Sequence, residues 1–112
     1  MSKQEDIKVN DIMLMFSNSI LNSSINIEPY YNDFKSISDF KHYLTQKLAE
    51  MLEKDFNGLI NLLYRIDIDE NDLQELFSSQ NKEFIPSALA DLIIKRQIQK
   101  INFRMKIKKD SI

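Results

Sequence analysis

The chain has no cysteine and no tryptophan, a single glycine (Gly58), two prolines (Pro29 and Pro86) and a single histidine (His42). Without cysteine there is no disulfide, no thiolate nucleophile and no zinc site with sulfur ligands. With one glycine there is no glycine-rich cradle for phosphates. So few turn formers argue against a β sandwich or barrel and for helices joined by short polar loops. Long apolar runs are also missing. Nothing approaches the roughly 20 residues of a membrane-spanning helix. The run Ile12 to Phe16 is too short for a signal-peptide core and follows Glu5, Asp6 and Asp11. We therefore expect no integral membrane association and a cytoplasmic location.

Enough apolar material is present. Hydrophobic residues make up 43% of 112 positions, which supports one small domain with a real core. Ile12, Met15, Phe16 and Ile20 recur at helical spacing and predict a first helix from Glu5 to Leu21. Asn22 to Pro29 reads as a loop, and Pro29 to Phe34 brings three aromatic rings (Tyr30, Tyr31, Phe34) that suit docking on the body. Ser38 or Asp39 can cap the next helix. There Phe40, Tyr43, Leu44, Leu48, Met51 and Leu52 share a face. Asp55 caps a third, largely apolar helix from Phe56 to Ile66, expected to be central. Asp69 caps a short fourth one, from Glu70 to Ser78, whose acidic first turn complements the helix dipole. The expected division is an N-terminal helix and loop extension over 1–38 and a helical domain over 39–112.

The last quarter carries the strongest signal. Pro86 suits a first helical position, and nothing interrupts the pattern up to Lys109, a length of about 36 Å at 1.5 Å per residue. That exceeds the core of so small a domain, so the end should project or pack on another subunit. Charge is strongly segregated. Residues 1–91 hold eight basic and sixteen acidic side chains, a net of −8, and residues 92–112 hold seven basic and one acidic, a net of +6. A basic helix on an acidic body is a candidate binding surface. Ile94, Ile98, Ile101 and Met105 step by four, three and four residues, as in a coiled-coil seam. This stripe either packs on the N-terminal helix of the same chain or forms the seam of a homodimer. Arg96, Lys100 and Arg104 recur every four residues on one face and are candidates for partner contact, together with Ile98, Ile101 and Met105.

Catalytic apparatus is hard to assemble from this chain. His42 has no second histidine or cysteine to work with and reads as a surface helical residue. Asp67-Ile68-Asp69-Glu70-Asn71 matches the first ligand positions of a calcium loop. The match then fails, with Asp72 where the sharp turn needs glycine and Ser78 where a bidentate glutamate belongs. Asp67 and Asp69 are better read as structural. Arg65, at the end of the third helix, is also assigned a structural role, pairing with Asp67 or Asp91. No catalytic residue, metal or cofactor is expected, and the chain is not expected to be an enzyme.

The segment Leu62-Leu63-Tyr64-Arg65-Ile66-Asp67-Ile68, followed by Ala88-Leu89-Ala90-Asp91-Leu92-Ile93-Ile94-Lys95-Arg96-Gln97, resembles a family of small uncharacterised bacterial all-helical proteins. The resemblance spans roughly Leu44 to Arg104. It implies a helical fold with a C-terminal basic helix, brings no assigned activity, and leaves residues 1–38 as an added segment.

These observations lead to an all-α expectation: a small bundle of four to five helices with a long C-terminal helix. The expected role is a non-catalytic protein-interaction module, an adaptor or regulatory subunit acting through that helix, with itself (as a homodimer) among the candidate partners. The alternative is nucleic-acid binding by the basic face. Peripheral membrane attachment ranks below both, for want of tryptophan or a lipidation motif.

Overall fold

The computed structural model describes residues 7–21, 23, 27 and 34–110, with side chains described as far as residue 108. The described residues form five α-helices, α1 (Val9–Ile20), α2 (Ile37–Lys54), α3 (Phe56–Ile66), α4 (Glu70–Phe77) and α5 (Ile85–Asp110), with a 3₁₀ turn (Lys82–Phe84) before the last. The fold is an all-α bundle with a long C-terminal helix.

Local chemistry explains each boundary. Asp11 accepts the Lys8 N–H at 3.0 Å and closes the first turn of α1. Helix α2 starts two residues earlier than the sequence suggests, because Ser36 rather than Ser38 accepts the Asp39 N–H (3.1 Å). One residue, Asp55, both ends α2 and caps α3, its carboxylate accepting the Gly58 N–H at 3.0 Å. A Cβ on Gly58 would collide with that same carboxylate. The glycine therefore leaves room for the cap of its own helix, not for a neighbouring backbone. Asp69 caps α4 by accepting the N–H groups of Asn71 (2.8 Å) and Asp72 (3.4 Å).

Helix α3 ends in a Schellman motif built around an aspartate. Asp67 has φ 65° and ψ 53°, its N–H reaches the Tyr64 carbonyl (3.1 Å), and the Ile68 N–H reaches that of Leu63 (3.3 Å). Glycine is the usual residue here because a Cβ is disfavoured at positive φ. Asp67 instead spends its side chain on Arg96, Oδ2 to Nη2 at 3.1 Å. The pair is largely solvated and worth about 0–1 kcal/mol, similar to the cost of the left-handed conformation, about 1 kcal/mol. Asp67→Gly should thus shift stability by less than about 1 kcal/mol, whereas Asp67→Val, which keeps the strain and loses the pair, should cost about 1–3 kcal/mol. Urea denaturation of both variants is the measurement. Equal losses would show that the ion pair outweighs the strain.

The core follows four-residue rows: Ile12, Phe16 and Ile20 from α1, and Phe40, Leu44 and Leu48 from α2. Leu59, Leu62, Leu63 and Ile66 of α3 join them, as do Ile85, Leu89, Ala90, Ile93 and Ile94 of α5. Helix α5 packs on α2, α1, α3 and α4. The ring of Phe34 docks edge-on to Phe40 and tilted to Tyr43, both at 5.2 Å, so one of the three expected aromatic anchors is seated; Tyr30 and Tyr31 lie outside the described residues.

Two expectations need correction. Helix α3 is not enclosed, since Phe56, Ile60 and Tyr64 line an exposed face. Arg65 pairs with neither Asp67 nor Asp91. Its guanidinium donates to the carbonyls of Ser19 (3.3 Å) and Leu21 (3.2 Å), closing the C-terminal end of α1, while Asp91 pairs with Lys41 at 3.0 Å. The last carbonyls of a helix have no partners of their own and carry partial negative charge, so a cation from another helix fits there.

A candidate partner-binding surface on the long helix

Helix α5 has two halves with different surroundings. Up to Ile101 it is embedded, with Ile94 buried and Ile98 and Ile101 half-buried against the core. From Asn102 to Lys108 every residue is exposed, including Phe103 (64%), Ile107 (51%) and Met105 (38%). At 26 residues the helix is about 39 Å long, close to the 46 Å long axis of the molecule.

Helix α1 runs antiparallel beside the distal half. Ser19 lies at Lys100 (Oγ to Nζ 3.5 Å), while Asp11 shares a cleft with Lys108. That cleft, about 470 Å³, has an apolar floor of Leu14, Met15, Ile101 and Met105 and a polar rim of Asp11, Asn18, Arg104 and Lys108. A neighbouring cleft of about 390 Å³ lies between Met15, Asn18 and Ser19 of α1 and Lys100, Phe103 and Arg104 of α5. Of the stripe, Ile101 and Met105 thus face the N-terminal helix of their own chain, while Ile94 and Ile98 pack on the core.

The candidate cations do not form one surface. Arg96 is held by Asp67 and donates from Nη1 to the Gln99 side chain (3.3 Å). Lys100 is half-buried, and its pKa lies below the ordinary lysine value, first through burial and then through repulsion from Arg96 and Arg104, with Asp67 pulling the other way. Arg104 stands exposed at the edge of both α1 clefts. Since the folded state holds the Lys100 proton less tightly than the unfolded chain does, stability rises with pH between the lowered folded pKa and the ordinary value. Lys100→Met should accordingly stabilise the fold at neutral pH, with the gain over wild type shrinking as pH approaches the ordinary lysine pKa. Thermal melts of both proteins across that range test the sign, and a gain that grows with pH would refute it.

A third cleft, about 450 Å³, lies where the α3–α4 turn meets α5, between Asp67, Asp69 and Asp72 on one side and Lys95 and Arg96 on the other. Its two leading carboxylates are already engaged, Asp67 by Arg96 and Asp69 by the α4 cap. His42 is exposed on α2, with Nε2 at 3.2 Å from the Gln46 side-chain amide. No group of three or more potential metal ligands occurs among the described residues, and no helix among them is long and apolar enough to cross a membrane.

Sequence reading missed two features. Gln97 is fully buried, donating from Nε2 to the Ile93 carbonyl (3.2 Å) while no protein donor reaches its Oε1. Its spacing, three after Ile94 and four before Ile101, already placed it on the core face. The exposed pair Phe103 and Ile107, four apart beyond the last core residue, was legible in the same way. No protein-family model, curated protein or solved structure matches the chain. The resemblance to small bacterial helical proteins therefore rests on the aliphatic segments alone.

Proposed function

We propose that this chain is a non-catalytic helical interaction module whose contact surface is the distal half of α5 and whose partner is a protein with an acidic, amphipathic surface. The supporting observation is the exposed run from Asn102 to Lys108, in which Phe103, Met105 and Ile107 alternate with Arg104, Lys106 and Lys108, Met105 being the least exposed of the three at 38%. Large apolar side chains among cations recover free energy when a partner covers them and matches their charge. A cytoplasmic adaptor or regulatory subunit fits this chemistry.

Nucleic acid is the weaker reading. Of the three cations at four-residue spacing, Arg96 already serves a carboxylate and Lys100 is half-buried against α1. The test is affinity purification of tagged wild type beside Phe103→Ser/Ile107→Ser. Buried aromatic anchors at interfaces are worth roughly 2 kcal/mol, on the order of 30-fold in affinity. The variant should therefore lose a protein that wild type retains. Identical recovery by both would refute the assignment of the surface, and nuclease-sensitive recovery would transfer it to nucleic acid.

A further inference from the structure

A second apolar surface lies elsewhere on the molecule. Phe56 (50%), Ile60 (44%) and Tyr64 (88%) are exposed at four-residue steps along α3. Helix α4 borders this face, the Phe77 ring standing edge-on to Phe56 at 6.3 Å. Between residues 55 and 79 the sequence carries six acidic side chains and one basic, Arg65, a net of −5. Arg65 is committed to the end of α1, and Asp55, Asp67 and Asp69 to helix caps and to Arg96. This leaves Glu70, Asp72 and Glu75 of α4 as the exposed charges, a net of −3, the last two on the side that lines a cleft towards α5. Phe103 and Ile107 also step by four, but in the exposed run 102–108, with three basic residues and no acidic one.

The chain therefore displays two apolar rows of the same helical pitch in opposite electrostatic settings. Rows of four-residue spacing interdigitate when two helices cross. Like faces repel, so tail against tail and α3 against α3 are both disfavoured, and only tail against α3–α4 is complementary. One chain does not satisfy itself, since both rows are exposed in the same fold. We propose that the α3–α4 face receives the distal α5 of a second copy of this chain. This rests on the interaction role of that segment and names its partner. Exchange of the contact in both directions gives a closed dimer, and one-way exchange gives a chain of copies.

Charge reversal tests it. In one variant Arg104→Glu and Lys106→Glu take the exposed run 102–108 from +3 to −1, and in another Glu70→Lys and Glu75→Lys take α4 from −3 to +1. All four positions are exposed, and a lysine in place of Glu70 in the first turn of α4 carries a small stability cost from the helix dipole. Sedimentation at about 100 µM and low salt should show association of wild type, weakened by roughly tenfold or more in either variant alone. An equimolar mixture of the two variants restores one wild-type contact in full and puts weakly opposite charges at the other, so it should associate more strongly than either variant alone. A monomeric wild type, association indifferent to either reversal, or a mixture no better than its components would each overturn self-docking. The tail as a binding surface for another protein is judged separately, by the affinity purification above.

Discussion

Phe40→Ala is expected to remove about 3–5 kcal/mol of folding free energy, the largest effect of any substitution considered for this chain. Phe40 is fully buried, and its ring meets Phe16 of α1 at 5.9 Å and Phe34 of the preceding segment at 5.2 Å, both edge-on. Truncation removes the apolar burial, leaves a cavity that three elements must collapse into, and breaks two favourable ring contacts. A chain of this length has a total stability of about 6–17 kcal/mol, so the loss is a large part of the whole. Urea unfolding should show the midpoint falling steeply with little change in slope. Phe103→Ala is the control. The same side chain is lost from an exposed position, and the cost should stay within about 0.5 kcal/mol. Similar losses at the two sites would place Phe40 outside the core.

Gln97→Leu is expected to move stability the other way, by about 1–3 kcal/mol. Burial of the amide oxygen without a donor is costly, and leucine removes it while filling a similar volume. The Ile93 carbonyl is not stranded by the change, because the helical N–H of residue 97 bonds to it as well. Gln97→Ala should gain little or nothing, since relief of the oxygen is offset by a void. The two variants together separate polarity from packing in a single denaturation experiment. Destabilisation by leucine would mean that Oε1 has a hydrogen-bond donor after all.

Much of the bundle was readable because periodicity and capping agree along most of the chain. Asp55 stands before an apolar run and Asp69 before a short helix with Leu73, Leu76 and Phe77 on one face, and both accept the expected N–H groups. The rows 40–44–48 and 12–16–20 needed only spacing. Readings failed where the answer depended on which distant helix lies alongside. Arg65 carries no mark that its partners are carbonyls 44 and 46 residues away. Helix α3 looked central because composition counts apolar residues without saying which of them another helix covers; one face is buried and the other bears Phe56, Ile60 and Tyr64. The candidate surface was legible in outline only. Spacing put Arg96, Lys100 and Arg104 on one face, but the Asp67 carboxylate and the end of α1, which claim the first two, come from other parts of the chain.

The segregation of charge along α5 makes the molecule an electric dipole of a size its net charge of −2 conceals. Its cationic pole is the exposed end of a helix, and the body behind it is anionic. In a field gradient such a particle orients before it migrates. At pH 7 it should be retained by cation-exchange resin despite a sequence pI near 5.4, because the resin meets the pole and not the average. Approach to any anionic surface then begins with α5 foremost, so orientation precedes contact and the encounter is already half docked.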